Sequence, residues 1–382
     1  MGVSAVVLLG LFAAIRVCDS NLATPALFHI TTQFFDTGDA FWLVCLAALL
    51  AAGAAVRTPA GLSDFRFKEI APRPTALVAA LAVFVLLCSF LGVRFAALGF
   101  PVSRDEFLAD FDATILRAGF VVAPVAEEWR RFVAATALPA FMQPVADHAA
   151  LGSAYLPGNA MLRALTSLWF DRQLTGGLLA ALAVVAGFGV ARRLWPSRPD
   201  AAVVVAVLLA TSPQVIVTAM TPYAMTAHLA LNLVWLWFFL RDDKIGHAGA
   251  IATGFFASGL HQVVFHPMFA APFVFSMWRK GRRTLAYVYV AAYALIGLFW
   301  IEYWQIALAL EGFARPDAGP DGASVDGAEF FLSKVKILFV DYEGLRAPLM
   351  LKNLARFLTW QNAAMAPLAP MVGTVELKLI ST

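Results

Sequence analysis

The sequence predicts an all-α fold, a polytopic bundle of about ten transmembrane helices, and three observations carry that expectation. Hydrophobic residues make up 61% of the 382 positions and charged residues 14%, against roughly 45–50% and about 25% in soluble domains. With 32 Phe and 10 Trp, too little polar side chain remains to cover a globule in water. The remaining charges collect between apolar runs of span length rather than inside them. Disorder, a disulfide-rich secreted fold and a nucleic-acid-binding domain are excluded together. Cys18, Cys45 and Cys88 lie in or beside apolar runs without paired or metal-type spacing, as small buried hydrophobes do.

A bilayer core of ~30 Å needs about 20 apolar residues in a helix. Runs of that kind fall at about 3–17, 40–56, 75–97, 174–190, 201–218, 224–240, 284–305 and 354–373. Residues 247–278 carry no Asp, Glu, Lys or Arg over 32 positions, which suits a tight helical pair broken near His261–Pro267. The first run lacks the basic start and cleavage site of a signal peptide, so it is kept as a span.

Lys and Arg in short loops set the direction of insertion. Arg57, Arg66, Lys68 and Arg73 form one cluster, Arg192, Arg193 and Arg198 a second, Arg241 and Lys244 a third, and Arg279, Lys280, Arg282 and Arg283 a fourth. With these spans all four fall on one side, the cytoplasm, together with the N-terminus. The chain then divides into an N-terminal hairpin with its basic loop (1–74), a core (75–306) with an external loop at 100–173, and an external loop with the last span (307–382).

The loop at 100–173 is acidic, with Asp105, Glu106, Asp110, Asp112, Glu127, Glu128, Asp147 and Asp171. Phe107, Leu108, Phe111 and Ile115 recur at helical spacing, with Glu106, Asp110 and Arg117 expected on the opposite face. A second amphipathic helix is expected over Glu127–Phe141, and helices of this kind lie in the membrane interface. Within the loop, Ser103-Arg104-Asp105-Glu106-Phe107 is the sharpest chemical feature. Ser103 suits a helix N-cap and acids suit the first turn. The same acidic pair beside a membrane is also placed to meet a cationic or hydroxyl-bearing ligand. His261 and His266, in the break of the uncharged stretch, could touch a sugar or phosphate oxygen or join two helices. Their five-residue separation does not suit a metal pair. His228 is expected to bond a neighbouring helix, Tyr223 to sit at an interface, and Glu302 near the outer end of its span.

The order of an acidic pair after a span, a Tyr155-Leu156-Pro157-Gly158 segment, a span ending in Arg192-Arg193 and a Thr211-Ser212-Pro213 step resembles the GT-C membrane glycosyltransferases. Protein O-mannosyltransferases and lipid A aminoarabinose transferases belong to that superfamily. The resemblance runs over about residues 75–306, with Pro-Gly standing where the family commonly has Pro-Pro. It implies an inverting glycosyltransferase of the bacterial inner membrane, moving a sugar from a polyprenyl-phosphate donor to a lipid, protein or glycan acceptor on the periplasmic face. Asp105 would be the base, Glu106 its neighbour, and Tyr155, His261 and His266 substrate contacts. Arg104, Arg163, Lys334 or Lys336 would meet the phosphate. No metal, cofactor or nucleic acid is expected. A transporter or flippase of a lipid-linked glycan, and a polysaccharide polymerase or ligase, are the rival classes.

Overall fold

The computed structural model describes residues 2–20, 35–55, 73–101, 103–136, 142–145, 148–312, 350–352 and 354–355. Lys334 and Lys336, the loop at 313–349, the basic residues Arg57, Arg66 and Lys68, and most of the last apolar run lie outside the described residues. The chain is mostly helical and divides into two compact units, one of residues 1–72, 211–214 and 341–382, the other of 73–210 and 215–340.

The first unit is built on two helices, α1 (Gly2–Ser20) and α2 (Ala40–Ala55). Ala5, Leu8, Leu11 and Ile15 recur every three to four residues and pack with Leu43 and Ala47, which is the spacing of one helical face. Between the helices Arg16 pairs with Asp36 at 2.8 Å and lies over the rings of Phe12 and Phe35. The outward sides are also apolar, with Val6, Leu9, Phe41, Trp42 and Leu49 exposed. A helical pair apolar all round has the surface of a lipid-facing hairpin.

The second unit contains α3 (Pro74–Phe95), α4 (Arg104–Arg117), α5 (Gly158–Thr166), α6 (Leu174–Leu194), α7 (Pro199–Ala210), α8 (Pro213–Ala219) from Val215 onward, α9 (Met225–Phe239), α10 (Lys244–Ser258), α11 (Phe265–Arg279), α12 (Arg283–Ile301) and α13 (Tyr303–Leu310). Among the described residues three helices, α3, α6 and α12, are long and apolar enough to cross a membrane, with a fourth if α7 and α8, bent by 51° at Thr211–Ser212, count as one. Helices α10 and α11 have 15 residues each, about 22 Å at 1.5 Å per residue. The uncharged stretch does break between them, at 259–264 rather than around Pro267, which lies inside α11.

Helix α6 is the centre of this unit: 56% of its apolar window is buried, against 22% for α3 and for α12. It packs on α3, α7 and α9 through small residues, Gly176, Gly177, Ala180, Ala183 and Gly187 among them. Small side chains let helix backbones approach closely where lipid removes the hydrophobic drive to associate. Uncharged polar groups supply directional links elsewhere. His266, 0% exposed, holds Asn232 on α9 at 2.7 Å and the Tyr293 hydroxyl on α12 at 2.6 Å, and His247 meets the Tyr289 hydroxyl at 2.9 Å.

The helix ends are chemically sorted. Arg192, Arg193, Arg241, Lys244, Arg279, Lys280, Arg282 and Arg283 lie at helix ends that meet on one side: Arg193 lies over Trp237 and Arg282 pairs with Asp242. At the opposite end a polar layer covers the bundle. It consists of α4, α5, two single helical turns at Glu127–Arg130 and Val133–Thr136, and an antiparallel sheet of β1 (Ala123–Pro124), β2 (Met142–Val145) and β3 (Ala150–Ser153) in the order β1-β3-β2. Met142 faces Ser153 and Val145 faces Ala150 in the register. Of the continuous helix expected over Glu127–Phe141, the described part, 127–136, forms two single turns instead, and Trp129 and Phe132 are exposed. The layer is tied down by Gly158 N–H donating to the Gly259 carbonyl at 2.8 Å, Asn159 Nδ2 to the Pro222 carbonyl at 2.8 Å, and Val121 N–H to Glu311.

A Cβ on Gly176 would collide with the Ala219 carbonyl and its backbone, which cannot rotate away as a side chain could. Gly176→Val is therefore expected to cost about 3 kcal/mol and to lower the detergent-state melting temperature. Gly297→Ala, where nothing lies within 4 Å of the added carbon, is the control and leaves it unchanged or slightly raised.

Candidate functional site

The layer brings two of the sequence-predicted groups to the acidic pair. Ser103 caps α4, its hydroxyl accepting from the Glu106 amide at 3.2 Å. In turn it accepts from the Tyr223 hydroxyl at 2.7 Å, which ties the start of α4 to the turn before α9. One residue into the helix, the Asp105 carboxylate accepts a hydrogen bond from the Tyr155 hydroxyl through Oδ1. The Tyr155 ring packs against the His261 ring with centroids 4.2 Å apart, and Leu156 N–H reaches the His261 carbonyl at 3.4 Å. Burial first, and then the Asp105 carboxylate beside it, push the Tyr155 phenol above its ordinary pKa. Tyr155 therefore stays protonated and donates, and Asp105 remains the acceptor.

Helix α4 is turned differently from the expected stripe. Leu108 and Ile115 are buried, but Phe107 is exposed and stacks along the outside with Phe111 at 5.9 Å. Glu106, placed on a polar outer face by its periodicity, is 5% exposed. Ala113 of the same face packs on Ala160 and Ala164 of α5. Acid pairing on a second helix, not exposure to water, accounts for the charges there. Asp110 accepts from Arg163 Nε at 2.7 Å and from a terminal nitrogen of the same guanidinium at 2.7 Å, with Arg172 at 3.9 Å.

Arg163 is only 4% exposed. Burial pulls its pKa down and Asp110 pulls it back up. The cleft it lines with Asp110, Gln173, Gly99, Thr221 and Pro222 measures about 20 Å³, room for roughly one water. Its expected place as a phosphate contact is thus taken by a structural ion pair. His266 is likewise removed from the surface, both ring nitrogens being held by Asn232 and Tyr293. Arg104 is exposed at the start of α4, and Glu302 ends α12 at the break before α13. His228, expected to bond a neighbouring helix, instead meets Phe265 edge-on at 5.7 Å. Neither of its buried nitrogens has a hydrogen-bond partner among the described residues.

One further carboxyl belongs to this end. Asp112 lies seven residues beyond Asp105, two helical turns on the same side of α4. The Ser153 hydroxyl donates to it and opposes the rise, but burial prevails and lifts its pKa from 3.8 to about 7. Ser153 also accepts from the Tyr155 amide at 3.1 Å, so one line of hydrogen bonds joins Asp105, Tyr155, Ser153 and Asp112. Tyr303 of α13 lies within electrostatic reach of Asp112. The seven-residue spacing of the two acids was visible in the sequence, whereas their connection through β3 depended on a strand hidden among prolines. No known protein family, curated protein or solved structure matches the chain.

Two predictions follow the two acids. Arg163→Met leaves the half-buried Asp110 with only Arg172, 3.9 Å away, and is expected to cost about 2–3 kcal/mol, whereas Arg163→Met with Asp110→Leu recovers most of it; thermal melting of purified protein distinguishes the two. For Asp112 the folded chain keeps a proton that the unfolded chain has released between pH 3.8 and about 7. Stability should therefore fall as pH rises through that window and level off above it, by at most roughly 4 kcal/mol at about 1.4 kcal/mol per pH unit. Asp112→Asn should flatten that part of a melting-temperature profile.

Proposed function

We propose that the chain is a multi-pass membrane glycosyltransferase of the GT-C type, transferring a sugar from a polyprenyl-phosphate donor to an acceptor hydroxyl or amine with inversion. In this reading about ten helical passes cross the bacterial inner membrane. The basic helix ends and the N-terminus are cytoplasmic, and the layer of α4, α5 and the sheet is periplasmic. The Lys and Arg clusters in the short turns at Arg192–Arg193, Arg241–Lys244 and Arg279–Arg283 support the direction.

The observation that carries the activity is the grouping of Asp105, Tyr155 and His261 at the end of the bundle opposite Arg193 and Arg282. A glycosyl transfer from a lipid phosphate already has its leaving group. As the acceptor oxygen bonds to the anomeric carbon, its proton must pass to a base. The bond from that carbon to the phosphate oxygen breaks, and the phosphate departs with the electron pair. Asp105 supplies the base. Tyr155 occupies one of its oxygens and fixes its orientation, leaving the other for the acceptor. Cations at the same depth must neutralise the departing phosphate, and Arg104 is the exposed candidate beside Asp105.

A second reading, a transporter of a lipid-linked glycan, draws on one different observation. The chain Asn232, His266 and Tyr293, with His247 and Tyr289, puts titratable groups inside the bundle, where transporters carry their coupling sites.

Purified protein in nanodiscs, given a polyprenyl-phosphate sugar and an acceptor, should release polyprenyl phosphate. Asp105→Asn is expected to lower that rate by about 10²–10⁴-fold while inserting and purifying as wild type does. Full activity in the variant would remove Asp105 from the mechanism. Donor binding by both proteins, with translocation but no release, would favour the transporter.

A further inference from the structure

The sequence casts His228 as a link between helices, and the structure leaves it unbonded. It lies in the first turn of α9, its own amide bonded to the Ala224 carbonyl at 2.9 Å. Both ring nitrogens are buried, and neither has a hydrogen-bond partner among the described residues. The buried histidines His247 and His266 are satisfied, the first by Tyr289 and the second by Asn232 and Tyr293. Native structures leave few buried polar side-chain atoms unpaired, and each one asks for a reason.

The unbonded imidazole belongs to the end of the bundle that holds Asp105. Phe265 meets the His228 ring edge-on at 5.7 Å and stacks on the His261 ring at 6.2 Å. His261 packs on Tyr155 at 4.2 Å, and Tyr155 donates to Asp105. The row draws on α9, α11, the turn before α11, the segment before α5 and the start of α4. His261 also lies within electrostatic reach of His228. Both phenols at this end are committed, Tyr155 to Asp105 and Tyr223 to Ser103. His228 alone of these side chains keeps two buried nitrogens unmet.

What it can take follows from its own chemistry. No carboxylate bonds to it among the described residues, and a neutral imidazole offers one donor and one acceptor. An ammonium brings donors alone, and an ionised phosphate or carboxylate acceptors alone, so either leaves one nitrogen unmet. A hydroxyl both donates and accepts, and a ring bearing several can serve either nitrogen. We infer that His228 is a specificity-determining residue, hydrogen-bonding a hydroxyl of the glycan ring handled at the Asp105 end of the bundle. The inference rests on the proposed function, in either of its readings, and adds the residue that tells one ring from another. A site built to bond a hydroxyl rejects the analogue without it, because the protein group is then left buried and unpaired. In the free protein that cost is already present, and the ligand removes it.

The test is donor binding to purified protein in nanodiscs, read by native mass spectrometry. The probes are polyprenyl-phosphate glucose, mannose and galactose, each with the analogues that lack one hydroxyl in turn. Wild type is expected to bind at least one parent about tenfold or more tightly than one of its deoxy analogues. In His228→Phe that difference disappears, and parent and analogue bind alike. His228→Gln, whose amide still donates and accepts, keeps part of it. A purely structural histidine would weaken every probe by one common factor instead. Melting of the ligand-free protein gives a second criterion. His228→Phe should melt no lower than wild type, because it removes the unmet nitrogens and keeps a ring beside Phe265. Discrimination that survives in His228→Phe, uniform weakening of parent and analogue, a lowered melting temperature, or no binding of any parent overturns the inference. Release of polyprenyl phosphate with discrimination unchanged in His228→Phe removes the role of His228 alone. Binding that depends on His228 without any release removes glycosyl transfer and leaves that role in place.

Discussion

The close approach of two backbones, at Gly158 and Gly259, is the constraint on which the arrangement of the layer depends. The Gly158 amide donates to the Gly259 carbonyl at 2.8 Å, and a Cβ on Gly158 would meet the backbone of Gly259 and Leu260. Only a residue without a side chain lets the start of α5 sit on the turn after α10. That seat carries Tyr155, three residues earlier, to the ring of His261, two residues after Gly259. It carries Asn159 to the turn before α9. Asp105 meets Tyr155 because both helix starts are pinned to the same bundle end, α4 through Ser103 and Tyr223 and α5 through this glycine pair. The grouping of Asp105, Tyr155 and His261 is thus set by main-chain contacts some residues away from the carboxylate itself.

Below that layer the chemistry of polar groups changes. In the layer, charges are paired directly, as Arg163 and Asp110 are, because water and the helix ends nearby limit the cost of desolvation. In the bundle His266 links Asn232 and Tyr293, two uncharged partners, while His247 meets Tyr289 at 2.9 Å and, toward the basic end, the Asp242 carboxylate at 3.3 Å. A neutral histidine can accept at one nitrogen and donate at the other, so it joins two helices without carrying a charge into an apolar interior, where a charge would cost several kcal/mol. The aromatic cluster around Trp235, with Phe239, Phe269 and Phe273, packs against the same links. Directional bonds fix the register of α9, α11 and α12, and aromatic area fills the space between them.

The helices of the bundle were legible in the sequence because apolar runs and charge-free stretches are local properties of the chain, whereas of the ten expected spans only three described helices, or four with the bent pair, have the length and apolarity to cross a membrane. The runs at 75–97 and 174–190 became α3 and α6 within a few residues, and the charge-free stretch did break near His261. The layer was less legible because its order comes from contacts far apart in sequence. Glu106 and Asp110 read as a wet face of α4 until α5, some 50 residues later, supplied Arg163 and the alanines that cover them. Pro144 marked a break in the sequence, yet it pairs with Leu151 in the sheet, and without that strand nothing joined Ser153 to Asp112. Of the site residues, Asp105, Tyr155 and His261 were recognisable and do come together. Arg163 and His266 were recognisable as polar groups in unusual places, which buried structural pairs and ligand contacts share.

The division between a charged layer and a neutral bundle also limits how a lipid-linked donor could be handled. Within the bundle His266 commits both ring nitrogens to Asn232 and Tyr293, whereas neither buried nitrogen of His228 has a hydrogen-bond partner among the described residues. In the layer the cleft at Arg163 holds about 20 Å³, too little for a long apolar chain. The bond from Gln173 Nε2 to the Gly99 carbonyl at 3.3 Å ties the residues after α3 to the start of α6, and the Tyr223 hydroxyl holds the Ser103 cap of α4, so each of these two helix ends has its own tether.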